Sequence, residues 1–199
     1  MLSGISCQTA KSTIKNCKNT GHINIDNCKS NAQVTQIFIS NIFVDTMSEA
    51  VTKSDNENEG NINITNNTFN TGVVQIVNCN NKFKNTGHIN IDSNTNLLQI
   101  NAIIDDYYYE MMNDCTNDGH ITITNNTLED GITGFIQTSI FSASSYSNCV
   151  NNGNIVINQN SENYRIGTAK NIYGDATGCT NNGTVTVDGV VGEIDNNMN

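Results

Sequence analysis

The chain has 199 residues, a formal net charge of −10, and neither proline nor tryptophan. Its 38 Asn, 25 Ile and 22 Thr make up more than two-fifths of the whole. This length is a prior for one domain. Richness in β-branched residues with only 14% charged residues argues against general disorder, which favours the reverse composition. Nine basic residues scattered through an acidic chain weigh against binding to nucleic-acid backbones or anionic membranes. No apolar run approaches the 18 residues of a membrane-crossing helix, so no membrane insertion is expected.

In chain order, residues 1–14 read as a partial coil or cap built on Gly4, Ile5 and Cys7. Residues 1–12 carry no basic stretch followed by an apolar one, so no secretory leader is visible there. From residue 15 one unit recurs. Aligned on a glycine, it reads GHINID at Gly21, GNINIT at Gly60, GHINID at Gly87, GHITIT at Gly119, GNIVIN at Gly153 and GTVTVD at Gly183. The intervals are 39, 27, 32, 34 and 30 residues. Two positions before each glycine stands an asparagine: Asn19, Asn58, Asn85, Asn117, Asn151 and Asn181. Four positions before it stand Cys17, Cys115, Cys149 and Cys179, with Asn56 and Phe83 in the other two copies.

Each part has a physical reading. Alternation of period two after the glycine marks a short strand with one apolar face. The Asn-x-Gly before it reads as turn chemistry, since both residues tolerate left-handed backbone. The cysteine acts as a small buried hydrophobe. Second apolar runs follow at Val34–Ile39, Val73–Val77, Leu97–Ile100, Ile132–Ile136 and Val190–Ile194, with a weaker one at Arg165–Tyr173. Ile103–Tyr109 and Ile140–Ser142 add a third run. No segment has a long helical period, and the lack of proline suits continuous β-ladders.

One such unit cannot bury its apolar face alone, but stacked units bury a continuous core. A unit of about 30 residues with two or three short strands fits one coil of a parallel β-helix, each coil rising about 4.8 Å. The expected fold is therefore all-β: a single parallel β-helix of about six irregular coils over residues 15–195, with a polar tail at 196–199. Ile23, Ile62, Ile89, Ile121, Ile155 and Val185 would form one inner ladder, and Ile25, Ile64, Ile91, Ile123, Ile157 and Val187 the next. The six asparagines would form a ladder bonded through their amides. A β-sandwich would not explain one fixed turn repeated six times, and the hexapeptide step of regular left-handed helices is absent.

The Cys-x-Asn-x-Gly unit followed by an alternating strand resembles the GLUG-type repeats of microbial and viral surface proteins. The resemblance covers about residues 15–195; the glycine-rich second element of that family is faint at Gly131–Ile136 (GITGFI) and Gly189–Ile194 (GVVGEI) and lost elsewhere. It implies a right-handed β-helix at a cell surface, outside the cell or on a virion.

Several residues invite a chemical reading. His22, His88 and His120 all follow the repeat glycine. His88 and His120 would be column neighbours about 5 Å apart, spaced to share a metal. Asn61, Asn154 and Thr184 interrupt that column, which favours a plain outward polar position. Asp26, Asp92 and Asp188 end the motif strand, in non-adjacent coils, which disfavours a calcium cluster. Asp105 and Asp106 precede Tyr107, Tyr108 and Tyr109, an aromatic group that could stack on sugar rings. Seven cysteines without a Cys-x-x-Cys point to buried thiols rather than a zinc or redox motif. The Thr-x-Thr strands of the fourth and sixth copies are too irregular for an ice-binding face. Sequons at Asn63, Asn66, Asn125 and Asn182 follow from composition. No catalytic residue, metal ligand or cofactor is expected. The leading expectation is a non-enzymatic structural or surface-interaction protein that self-associates end to end or meets a surface glycan or protein. The alternative is a carbohydrate-binding or carbohydrate-cleaving β-helix.

Overall fold

The computed structural model describes the backbone of residues 5–7, 13–29, 37–40, 43–45, 52–75, 77–78, 81–100, 104–105, 111–136, 141–166 and 172–191. It describes the side chains of 15–29, 54–69, 81–100, 112–136, 147–166 and 177–191. These residues are all-β, with no helix that could cross a membrane. The parallel sheets and asparagine ladders are consistent with a β-helix.

Two sheets carry the repeat. The first stacks Lys18–Asn19, Glu57–Asn58, Lys84–Asn85, Thr116–Asn117, Val150–Asn151 and Thr180–Asn181 in chain order. The second stacks Ile23–Asp26, Ile62–Thr65, Ile89–Asp92, Ile121–Thr124, Ile155–Asn158 and Val185–Val187. Every pair of successive copies is parallel and in register, so Ile23 lies against Ile62, Ile62 against Ile89, and so on to Val185. Alternation puts the isoleucines inside: from the second copy to the fifth both are buried, whereas Ile23 and Ile25 of the first are half-buried.

The second apolar runs form a third sheet, from Ile37–Ser40 through Thr68–Gln75, Thr95–Ile100 and Gly134–Ile136 to Tyr164–Ile166. Gly134 lies opposite Tyr164, and the ring fills the space a side chain there would take. The Tyr164 hydroxyl donates to the Leu97 carbonyl at 2.6 Å, 67 residues earlier in the chain. Burial pushes that phenol well above its ordinary value.

The chain bends at the repeat glycine in four copies, but the left-handed residues lie elsewhere than the sequence suggests. The repeat glycines and asparagines do not adopt left-handed backbone. Left-handed residues stand five before the glycine, at Asn16, Asp55, Lys82, Asp114, Asn148 and Gly178, and six after it, at Asn27, Asn66, Ser93, Asn125, Gln159 and Gly189. Most are Asn, Asp or Gly, the types for which this conformation costs least. Ten residues thus separate the two left-handed corners of each motif, with a bend at Gly21, Gly60, Gly87 and Gly119 between its two strands.

The glycine is required for another reason. A methyl at Gly119 would overlap the carbonyl oxygen of Gly87 and sit 2.6 Å from the Asn85 amide nitrogen; Gly60, Gly87, Gly153 and Gly183 repeat this crowding against the copy before. At Gly21 the nearest atom is 3.8 Å away.

The sixth copy ends differently. Asp188 and Gly189 both have positive φ and turn the chain back, and Val190–Val191 pairs antiparallel with Val185–Val187. This is the Asp-Gly hairpin that two left-handed residues favour. The run expected from Val190 onward is thus a return strand with both valines exposed, and Gly192–Ile194 lie outside the described residues.

Gly119→Ala should therefore cost on the order of 3 kcal/mol or more, the class of effect tied to backbone overlap, while Gly21→Ala should change stability by less than about 0.5 kcal/mol. Urea unfolding of the two variants measures the difference.

Candidate functional site

The described polar groups are arranged in columns, and each column is a chain of bonds between copies. The ladder expected from the sequence runs through Asn19, Asn58, Asn85, Asn117, Asn151 and Asn181, with each amide nitrogen 2.7–2.9 Å from the next copy's amide oxygen. The second hydrogen of that nitrogen goes to the carbonyl of its own repeat glycine at 3.0 Å. The middle members, Asn58 to Asn151, are buried.

A second ladder runs through Asn67, Asn94, Asn126 and Asn160. Asn94 shows the full pattern. Its oxygen accepts the backbone and side-chain N–H of Asn67, and its amide donates to the Ile64 carbonyl and to Asn126. Cys28 heads this column, its backbone N–H donating to Asn67. Sequence reasoning missed it because the alignment stopped two residues short. All four asparagines stand seven positions after the repeat glycine, which is the signal that would have found them.

The histidine column has its own logic. His22 Nδ1 accepts the backbone N–H of Asn61 at 3.1 Å, His88 that of His120 at 3.1 Å, and His120 that of Asn154 at 3.0 Å. Where asparagine stands in the column, its oxygen does the same work: Asn61 accepts from His88 at 3.0 Å and Asn154 from Thr184 at 2.7 Å. His and Asn interchange here because both place an acceptor at the same point. The His88 and His120 rings stack with centroids 5.3 Å apart and planes 5° apart. An Nδ1 used as acceptor leaves the ring hydrogen on Nε2, so neither ring offers an outward lone pair to a metal. No group of three metal-binding side chains occurs among the described residues.

The acidic column repeats one device. Asp26 accepts from the Thr65 hydroxyl at 2.8 Å and the Asn66 amide at 2.9 Å; Asp92 accepts from Thr124 at 2.6 Å and Asn125 at 2.8 Å. Bonds from Asn66 and then Thr65 hold the Asp26 carboxyl below its ordinary value. For Asp92 partial burial pushes upward, and Thr124, Asn125 and Ser93 together outweigh it, so this carboxyl is also lowered. Asp188 accepts the backbone N–H of Gln159.

The cysteine column lies inside. Cys115, Cys149 and Cys179 are buried, Cys17 is half-buried, and these four with Cys28 are thiols rather than disulfides. The Cys179 sulfur accepts the backbone N–H of Cys149 at 3.3 Å, the role that the Asn56 oxygen performs for Cys17 at 3.0 Å. Burial pushes the Cys179 thiol up, away from the thiolate a nucleophile needs. On the outer face Lys18 pairs with Glu57 at 3.2 Å and with Glu59, Lys84 with Glu57 at 3.9 Å, and Lys15 with Asp55 at 3.4 Å. Tyr107, Tyr108, Tyr109 and Asp106 lie outside the described residues, and of Asp105 only the backbone is described, paired with Asn78 and Ser142.

No family model, curated protein or solved structure matches this chain.

The two lowered carboxyls give a pH prediction. A carboxyl whose folded pKa is depressed contributes stability that is present above its unfolded value, about 3.9 for Asp, and is lost as pH falls through the folded value. Stability should fall on acidification below about pH 4. The fall should be shallower in the double variant Asp26→Asn/Asp92→Asn. Urea midpoints between pH 7 and pH 2 report both.

Proposed function

We propose that this chain is a single right-handed parallel β-helix of six coils with a non-enzymatic role: a stiff scaffold or surface-interaction rod that assembles with copies of itself. The observation that carries this reading is where the reactive side chains are used. Imidazole Nδ1 atoms accept backbone N–H groups of the next copy, Asp26 and Asp92 accept its Thr and Asn side chains, and the buried amides bond to one another. Among the described residues, all three imidazoles and the Asp26 and Asp92 carboxylates are thus engaged in joining one copy to the next. The lysines Lys15, Lys18 and Lys84 are matched by carboxylates, and the chain as a whole is acidic, with a net charge of −10, which disfavours an anionic polymer.

Handedness and a surface location rest on the likeness of Cys-x-Asn-x-Gly-x-[Ile/Val] to GLUG-type repeats. The outer face of the second sheet presents mainly His, Asn, Thr and Asp, with Val156 exposed among them, a largely polar surface suited to broad contact rather than to enclosing a small substrate. The carbohydrate-cleaving alternative makes a different demand, since glycan hydrolysis uses a carboxylate pair on either side of one bond. It also needs one of the pair protonated as the acid, whereas Asp26 and Asp92 are both held below the ordinary carboxyl value by Thr and Asn side chains of the next copy.

Incubation with polygalacturonan and a panel of other glycans decides between the classes. The expected result is no new reducing ends or unsaturated products. Turnover that disappears on Asp92→Asn or His88→Ala would overturn the structural reading.

A further inference from the structure

The two ends of the second sheet are unlike. At the far end the hairpin strand Val190–Val191 covers the outer edge of Val185–Val187, so a further parallel coil cannot add there. At the near end, no described residue pairs with the outer edge of Ile23–Asp26. The strands Ile5–Cys7 and Thr13–Lys15 pair elsewhere, with Phe43–Asp45 and Thr52–Ser54. Behind this edge Ile23 and Ile25 remain half-buried, whereas their counterparts in the next copy are buried. A flat edge with apolar side chains behind it is a template for another strand.

The hydrogen-bond directions show which groups the edge offers. Ile23 N–H donates to Asn61 O and Asn27 N–H to Thr65 O, so odd-numbered residues here face the second copy. Alternation along a strand turns the backbone groups of His22, Asn24 and Asp26 the other way, just as Asn61 and Thr65 turn theirs to the first copy. These three positions are self-complementary. In an antiparallel register centred on Asn24, Asn24 exchanges both backbone bonds with the partner's Asn24, and His22 does so with the partner's Asp26. Ile23 and the partner's Ile25 then meet on the inner face. His22 Nδ1 accepts from Asn61, so its N–H is Nε2. That donor, on the outer face, is matched by a carboxylate held in its charged form by Asn66 and Thr65.

We propose that the Ile23–Asp26 edge is a docking surface for a second copy of this chain, joined about a two-fold axis through Asn24. The proposal rests on the self-associating reading above and sharpens it. With one sheet edge closed by a hairpin and the other self-complementary, association is isologous and stops at the dimer, whereas head-to-tail stacking would give filaments.

Sedimentation velocity of the full chain across concentration tests this, with two variants. Asn24→Pro removes a donor that points away from the second copy and should raise the dimer dissociation constant at least tenfold. Asn24→Cys places two thiols at a backbone-bonded antiparallel pair, about 5.5 Å apart between Cα atoms, within disulfide reach. It should give a covalent dimer on mild oxidation that neither the wild type nor Asn90→Cys, the same column inside the stack, forms. A monomer at every concentration, with no Asn24→Cys cross-link, overturns both the edge and self-association. Filaments, or dimers indifferent to Asn24→Pro and without the cross-link, overturn the edge alone and leave self-assembly standing.

Discussion

The structure depends on one side chain satisfying two neighbours at once. The buried asparagine two residues before the glycine spends one amide hydrogen on its own glycine carbonyl and the other on the next copy's asparagine. A buried amide left unbonded costs about 1–3 kcal/mol, so in the interior this arrangement is close to obligatory once asparagine is there. It also dictates the glycine. Drawing the carbonyl of Gly87 toward Asn85 places that oxygen directly under the Cα of Gly119, and any Cβ would collide with it. Asn and Gly recur together because one bond requires both. The isoleucines supply the hydrophobic burial, but they are interchangeable with valine, as Val185 shows; the amide ladder sets register, since a slip of one residue would break every amide bond in the stack.

The outer columns follow a looser rule that explains their variety. The position after the glycine needs only an acceptor for the next copy's backbone N–H, and imidazole Nδ1 and amide oxygen both provide one. The cysteine position likewise accepts the neighbouring N–H through sulfur in one copy and amide oxygen in another. At the strand end a carboxylate in one copy gathers a hydroxyl and an amide from the next, so Asp and Thr alternate along the first four copies. Residue types that look catalytic in isolation are thus solutions to one structural task. The proposed surface-interaction role rests on this use of the described imidazoles and of Asp26 and Asp92 to join one copy to the next.

The inner ladders were legible in the sequence because a fixed glycine anchors six copies, and period-two alternation reads directly as a strand with one inner face. The corners were not. Asn16 and Asn27 adopt left-handed backbone while Asn19 does not, and nothing in the residue type separates them; the difference comes from which asparagine the stack can bond internally. The second ladder was hidden for a related reason, since Asn67, Asn94 and Asn126 sit in runs of Asn, Ser and Thr that resemble solvated turns. The role of the histidines needed the register, because an Nδ1 accepting from another copy's backbone has no local signature. The closing hairpin needed the partner strand, since Val190 and Val191 look like core residues until Asp188 and Gly189 turn them outward.

The central claim is that the buried asparagine ladder, and not apolar burial alone, holds successive copies in register. Urea unfolding of Asn117→Leu against Asn182→Ala tests it most directly. Leucine keeps the branching and the heavy-atom count but strands the Asn85 amide, the Gly119 carbonyl and the link to Asn151, while Asn182 lies on the exposed surface. The account predicts a loss of about 3 kcal/mol or more for Asn117→Leu and under about 0.5 kcal/mol for Asn182→Ala. Equal stabilities for Asn117→Leu and the wild type would contradict it.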